Sequence, residues 1–172
     1  MDVLIPADRI RERVEEMARE IAVVYEQQPV TVVGVLTGCL IFMADLIRRL
    51  DLHLRIALLQ ASSYRGETTT SGALRIWDDL LPDLRGKHVL LMDDILDTGQ
   101  TLGKLVEHLN NLGAASVRVA VLLRKEGRQR VPLEPDFCGF VIPDKFVVGY
   151  GLDYNDEYRH LPFIGVFDPE KS

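Results

Sequence analysis

Apolar residues at Ile10, Val14, Met17, Ile21 and Val24 recur at spacings of four, three, four and three, which predicts one buried helical face. Pro29 closes that helix. The period then changes: VTVVGVL (30–36) is an unbroken β-branched run, expected of a strand covered on both faces. Thr37-Gly38 interrupts it before a second helix over about 40–50 that ends in Arg48 and Arg49. LRIALLQA (54–61) reads as a further strand, followed by the polar stretch SSYRGETTTSG (62–72) and by ALRIW (73–77). Pro82-Asp83 and Gly86 mark a turn before HVLLM (88–92).

DDILDTGQT (93–101) leads into a helix with Leu102, Leu105, Val106 and Leu109 inward and Gly113 at its C-terminal cap. SVRVAVLL (116–123) is the next strand, and the Pro-containing remainder alternates short strands with turns. Alternation of strand and helix implies right-handed crossovers and an α/β fold, a mostly parallel sheet flanked by helices. No repeat, low-complexity tract or linker divides the chain, so residues 1–172 are expected to form a single domain.

Composition narrows the function classes. The 172 residues are 47% hydrophobic and 27% charged, enough apolar surface for a core without a metal or disulfide staple. Lys plus Arg number 20 against 26 Asp plus Glu, a net charge of −6, which argues against a nucleic-acid coat or an anionic-membrane binder. Cys39 and Cys138 form no CxxC and the four His have no ligand spacing, so structural zinc is not expected and a reduced cytoplasmic pair is. No apolar run reaches membrane-spanning or signal-peptide length.

The segment with the most chemistry is LLMDDILDTGQT (90–101). A buried strand delivers Asp93 and Asp94, and Asp97, Thr98, Gly99, Gln100 and Thr101 form a turn opening a helix. Ligands of open parallel sheets sit beyond the carboxyl ends of the strands, where successive N–H groups and the positive helix end suit a phosphate. Two adjacent carboxylates would repel that phosphate unless sugar hydroxyls or Mg²⁺ engage them. A phosphorylated ribose satisfies both halves. A helix cap facing water is the plainer reading of the same residues. Ile95-Leu96-Asp97-Thr98-Gly99 also matches the aspartic-protease pattern, but that mechanism pairs two such carboxylates in an all-β setting, and no second DTG exists here.

A strand ending in two acidic residues and then I-L-D-T-G-x-T resembles the phosphoribosyl-diphosphate motif of type I phosphoribosyltransferases. IPDKFVVGYGLDYNDEYRHLPFIGV (142–166) resembles the C-terminal base and pyrophosphate segment of the hypoxanthine-guanine phosphoribosyltransferase family. SSYRGETTTSG resembles its mobile catalytic loop, and VLTGCLIFMADLIRRL (35–50) its first phosphate-contacting loop and helix. The resemblance covers nearly the whole chain. It implies the type I fold with a small hood built from N- and C-terminal segments. It implies transfer of the phosphoribosyl group from phosphoribosyl diphosphate to hypoxanthine or guanine, giving IMP or GMP and pyrophosphate. Mg²⁺ is the implied cofactor, with a homodimer or homotetramer in the cytoplasm and no nucleic-acid or membrane partner.

Position by position, the resemblance implies that Asp93 and Asp94 hold the ribose hydroxyls and that Asp97 to Thr101 cradle the 5′-phosphate. Asp97 is implied as general acid/base near purine N7. Thr37, Gly38 and Arg159 would contact pyrophosphate, and the Thr37-Gly38 peptide is expected to be cis. Lys125 would donate to the purine 6-oxo group, Phe146 would stack on the base, and the Val147 backbone would read its edge. Asp153 would lie at the base and, with Asp93 and Asp94, near the metal; Ser63 and Tyr64 would close the mobile loop, about 62–73. Residue types alone leave plainer roles open: a solvated basic loop (Arg124, Lys125, Arg128, Arg130), core packing for Phe146, a surface charge for Arg159. Thr37 stands where the family usually has Lys, and Asp93 where it usually has Glu. A nucleotide- and RNA-binding regulator and a xanthine-preferring transferase are the alternative readings.

Overall fold

The computed structural model describes residues 1–63 and 73–168. In chain order the elements are β1 (Asp2–Ile5), α1 (Ala7–Tyr25), β2 (Val30–Leu36), α2 (Leu40–Ile47), β3 (Leu54–Ser63) and β4 (Leu74–Trp77). They continue with β5 (His88–Leu96), α3 (Gln100–Asn111), β6 (Ser116–Lys125), β7 (Phe137–Ile142), β8 (Val147–Val148) and β9 (Ile164–Val166).

Six strands form one sheet in the order β4-β3-β2-β5-β6-β7. β3, β2, β5, β6 and β7 run parallel, and β4 is added antiparallel at one edge. β2 lies inside the sheet, and its first six residues are buried, as an unbroken apolar run requires. The sheet separates two cores. One packs Ile10, Val14, Met17 and Ile21 of α1 and Phe42 and Leu46 of α2 against Val30, Val32, Leu90 and Met92. The other packs Leu102, Leu105 and Leu109 of α3 against Val33, Leu91, Val119 and Val121. A separate sheet, β1-β9-β8, joins the N-terminal and C-terminal segments into the expected hood. Among the described residues no helix is long and apolar enough to cross a membrane.

Several details differ from the sequence reading, β3 and β6 among them, each running two residues further, to Ser63 and Lys125. Val24 is 42% exposed, and Tyr25 takes the buried place instead because the step from Ile21 is four residues rather than three. α2 stops at Ile47; the N–H groups of Arg49 and Leu50 bond the carbonyls of Leu46 and Ile47, tightening the tail into a three-residue turn. β5 runs four residues past Met92, because Asp93, Ile95 and Leu96 remain in register with Val121, Leu123 and Arg124 of β6. Gly113 has φ +90° just past α3, where its N–H bonds Asn110 and that of Ala114 bonds Leu109, a Schellman ending.

Candidate active site

Strand register assembles the site. β5 meets β6 at Leu96↔Arg124, and β6 meets β7 at Lys125↔Ile142, so three strand ends finish level. Asp97 therefore leaves β5 beside Lys125, the last residue of β6, and Asp144 follows two residues after β7.

Two adjoining cavities open there and share Asp94, Ile95 and Asp97. The smaller, about 190 Å³, is lined by Asp93 to Gly99 together with Thr101 and Leu102; Gln100 is not on its wall. Gly99 precedes α3 with φ +82° and has no side chain to cap the helix, and of the first-turn N–H groups that of Gln100 donates to Thr98 Oγ1 at 3.4 Å. The following N–H groups of that turn and the positive helix end suit an anion. Gly99 also fits closely: a Cβ there would come within 2.8 Å of Val131 Cγ2. The Arg130 N–H donates to Thr98 O at 2.9 Å and steadies the turn from outside. This Asp-Thr-Gly turn joins a parallel strand to a helix, a setting unlike the all-β protease one.

Asp93 and Asp94 are the acidic tail of β5. Asp93 Oδ1 accepts the Asp94 N–H at 2.9 Å, and Asp94 Oδ1 accepts the Ile95 N–H at 2.8 Å. Burial, followed by the adjacent Asp94 charge, pushes the Asp93 carboxyl well above its ordinary 3.8. Burial raises Asp94 too, opposed by its hydrogen bonds with Asp93 and Ile95 and by the charge of Arg159. The Cys39 thiol is driven up by its burial and then by the same two carboxylates. Both cysteines are free.

Gly38 explains how the pair is held. A Cβ there would stand 1.9 Å from Asp94 Oδ2, and a Cβ on Gly151 would stand 2.2 Å from the Gly38 carbonyl oxygen. The Thr37-Gly38 loop is therefore pressed between the end of β5 and the C-terminal segment. The cis peptide is Leu36–Thr37, one residue earlier than expected.

The larger cavity, about 240 Å³, adds Lys125, Phe146, Val147, Leu152 and Asp153 to the shared wall. Phe146 is 46% exposed, with its ring edge-on to Tyr154 at 5.8 Å and tilted to Phe167 at 6.2 Å. Its Phe167-bonded carbonyl anchors it, and Val147 pairs with Val166 across β8 and β9. A flat, half-open aromatic face beside buried aliphatic groups suits a planar heterocycle. Asp153 is held by Arg159, whose Nη2 lies 3.1 Å from Asp153 Oδ1 and 3.3 Å from Asp156 Oδ1. Arg159 Nη1 donates to Gly151 O at 2.7 Å, and the residue lines a neighbouring cavity of about 360 Å³ with Arg49 and Tyr150.

At the shared wall stands a closed ring of charges that sequence reading missed. Arg128 Nε donates to Asp97 Oδ1 at 2.9 Å and lies 3.7 Å from Asp144 Oδ2; Lys125 Nζ is 3.3 Å from Asp144 Oδ1 and 3.8 Å from Asp97 Oδ2. Residue type alone reads Arg128 as part of a solvated basic loop and singles out nothing at Asp144. Sequence gives one signal, a charged residue shortly beyond each of three strand ends. Arg124 is likewise neutralised, by Glu134 at 2.6 Å. Ser63 ends β3, paired with Leu74, whereas Tyr64 and most of the expected mobile loop lie outside the described residues.

Comparison with known proteins agrees with this geometry. Residues 6–155 match the family model described as "Phosphoribosyl transferase domain". The hypoxanthine-guanine phosphoribosyltransferase of Streptococcus pneumoniae strain R6 is 42% identical over 168 residues, covering 98% of this chain and 93% of that one. The "Bifunctional protein TilS/HprT" of Listeria innocua is 44% identical over 168 residues, but the chain spans only 26% of its length. The crystal structure of a hypoxanthine phosphoribosyltransferase from Staphylococcus aureus superposes with a TM-score of 0.93 at 40% identity, covering 99% of this chain and 93% of that one. A Bacillus anthracis hypoxanthine-guanine phosphoribosyltransferase gives a TM-score of 0.92 at 37% identity, covering 98% and 99%. The hood, the Asp93-Asp94 pair of β5, the turn at residues 97–101 and these matches together place the chain in the phosphoribosyltransferase family, on its hypoxanthine-guanine branch.

Proposed function

We propose that the chain transfers a 5-phosphoribosyl group from phosphoribosyl diphosphate to N9 of hypoxanthine or guanine, releasing pyrophosphate. The observation that carries this reading is the pair of adjoining cavities with Asp94 and Asp97 on their common wall. The phosphate turn takes the 5′-phosphate, Asp93 and Asp94 accept the ribose hydroxyls, and the aromatic cavity takes the base. C1′ then lies between them. Positioning and charge stabilisation on the leaving diphosphate supply most of the catalysis.

Lys125 donates to the base carbonyl, and Asp97 takes up or shares the ring proton lost as N9 is glycosylated. The Arg159 guanidinium and the backbone of Thr37-Gly38 receive pyrophosphate. Among the described residues no three His, Cys, Asp or Glu side chains converge as a metal cage. Asp93 and Asp94 nevertheless fit Mg²⁺, which commonly takes one or two carboxylates and completes its shell from phosphate oxygens and water. When bound, the ion offsets charge on the diphosphate. Asp153 supports this reading less directly, because its carboxylate already faces Arg159.

The test is direct. The purified chain with phosphoribosyl diphosphate, Mg²⁺ and hypoxanthine or guanine should form IMP or GMP with stoichiometric pyrophosphate. Excess EDTA should abolish turnover. Absence of nucleotide product with either base, or undiminished turnover in EDTA, would contradict the corresponding part of the reading.

A further inference from the structure

The charge ring around Asp97 is uneven. Arg128 leans toward Asp97, 2.9 Å against 3.7 Å to Asp144, whereas Lys125 leans toward Asp144, 3.3 Å against 3.8 Å to Asp97. Lys125 is the most enclosed member, its side chain 13% exposed, and Asp144 the most open, at 51%. Asp144 therefore faces the ring from its solvent side, and Lys125 lines the cavity proposed for the base. The Lys125 backbone carbonyl is fixed separately by Gln129 Nε2 at 2.7 Å, so the ammonium is the part free to choose between the two carboxylates.

Coulomb attraction at these separations depends strongly on which partner is nearest. Without Asp144, the closest carboxylate to the Lys125 ammonium would be Asp97, and the 3.8 Å gap would close into a direct ion pair. That pair would engage the two groups that the transfer reading assigns to the base. An incoming oxopurine would then have to separate them. Arg128 does not remove this conflict, because it already occupies Asp97 Oδ1 and leaves Oδ2 to Lys125.

We infer that Asp144 is a positioning residue for base recognition: it parks the Lys125 ammonium off Asp97, so that both groups stay available to the oxopurine. The inference rests on the transfer reading above and adds to it a residue that touches neither base nor donor. Its role is exerted chiefly through Lys125, its nearer partner at 3.3 Å against 3.7 Å for Arg128.

Asp144→Asn keeps size and some hydrogen bonding but removes the charge that competes for Lys125. The KM for hypoxanthine or guanine should rise roughly five- to tenfold, the scale of one partly exposed charge-assisted contact, while the donor KM changes much less. In a Lys125→Gln background the same Asp144→Asn change should alter base KM by less than about twofold, since no ammonium remains to park. Asp144→Glu should restore much of the base KM. A structural role would instead move both KM values and the unfolding midpoint together, and removing Lys125 would not suppress the effect. Wild-type turnover with an unchanged base KM in Asp144→Asn, or equal effects with and without Lys125, would overturn the inference and leave the transfer reading intact. An inactive wild type would overturn both.

Discussion

Gly38→Ala offers the sharpest test of how the loop after β2 and the acidic end of β5 depend on each other. The added Cβ would lie 1.9 Å from Asp94 Oδ2 and 2.6 Å from Cγ, where real Cβ contacts stay beyond 3.0 Å. The carboxylate must therefore move by roughly 1 Å, because an interior at crystal-like density has no slack to absorb it. Asp94 cannot turn away freely: its other oxygen accepts the Ile95 N–H at 2.8 Å. Backing the loop away instead meets Gly151, already so close that its own Cβ would fall 2.2 Å from the Gly38 carbonyl oxygen. Whichever part yields, a group proposed to hold ribose or pyrophosphate leaves its place.

Overpacking of this kind costs about 1–3 kcal/mol, against a folding stability of roughly 5–15 kcal/mol for such a domain, so the variant should still fold. A misplacement of about 1 Å in a positioning group is worth roughly 10²-fold in rate. Steady-state kinetics should show kcat/KM for phosphoribosyl diphosphate down by that order, with base KM changed far less. Gly86→Ala is the control. Gly86 also has positive φ, +69°, but a Cβ there meets nothing within 4 Å, so it loses about 1 kcal/mol of stability without touching the site. Near wild-type donor kinetics in Gly38→Ala, or an equal loss in Gly86→Ala, would refute the coupling between loop and carboxylate.

Asp97→Asn keeps the turn but cannot take up a proton, so kcat should drop about 10²- to 10⁴-fold with a much smaller change in donor KM; normal kcat with weakened donor binding would make Asp97 a binding residue only. Asp93→Asn should stabilise the free protein at neutral pH while impairing catalysis. The folded Asp93 carboxyl titrates above its ordinary 3.8, so its favourable contribution is complete below 3.8 and disappears as pH rises through the raised value. Urea midpoints should therefore favour the variant near neutrality and converge as the pH falls toward 4; a variant advantage independent of pH would contradict the assignment.

What the sequence revealed and what it hid divide along a physical line. Val30–Leu36 and the α1 face could be read because burial on both faces, or on one stripe, repeats every few residues. The turn at residues 97–101 was legible for a related reason: its shape, with Gly99 at φ +82° opening α3, is local backbone geometry that five consecutive residues determine. The ring of Asp97, Lys125, Arg128 and Asp144 has no such local signature. Its members are separated by 28, 3 and 16 positions, and only the level ends of β5, β6 and β7 make them neighbours.

The tight fit of Gly38 between Asp94 and Gly151 is hidden in the same way, because a missing Cβ matters only once another segment arrives. The family resemblance points to Lys125 and Asp97 but not to Asp144, whose ion pairs are with Lys125 and Arg128. Register, more than residue type, turns ordinary surface charges into a site. A one-residue slip of β7 against β6 would move Asp144 by about 3.3 Å, enough to release Lys125 onto Asp97 with every residue unchanged.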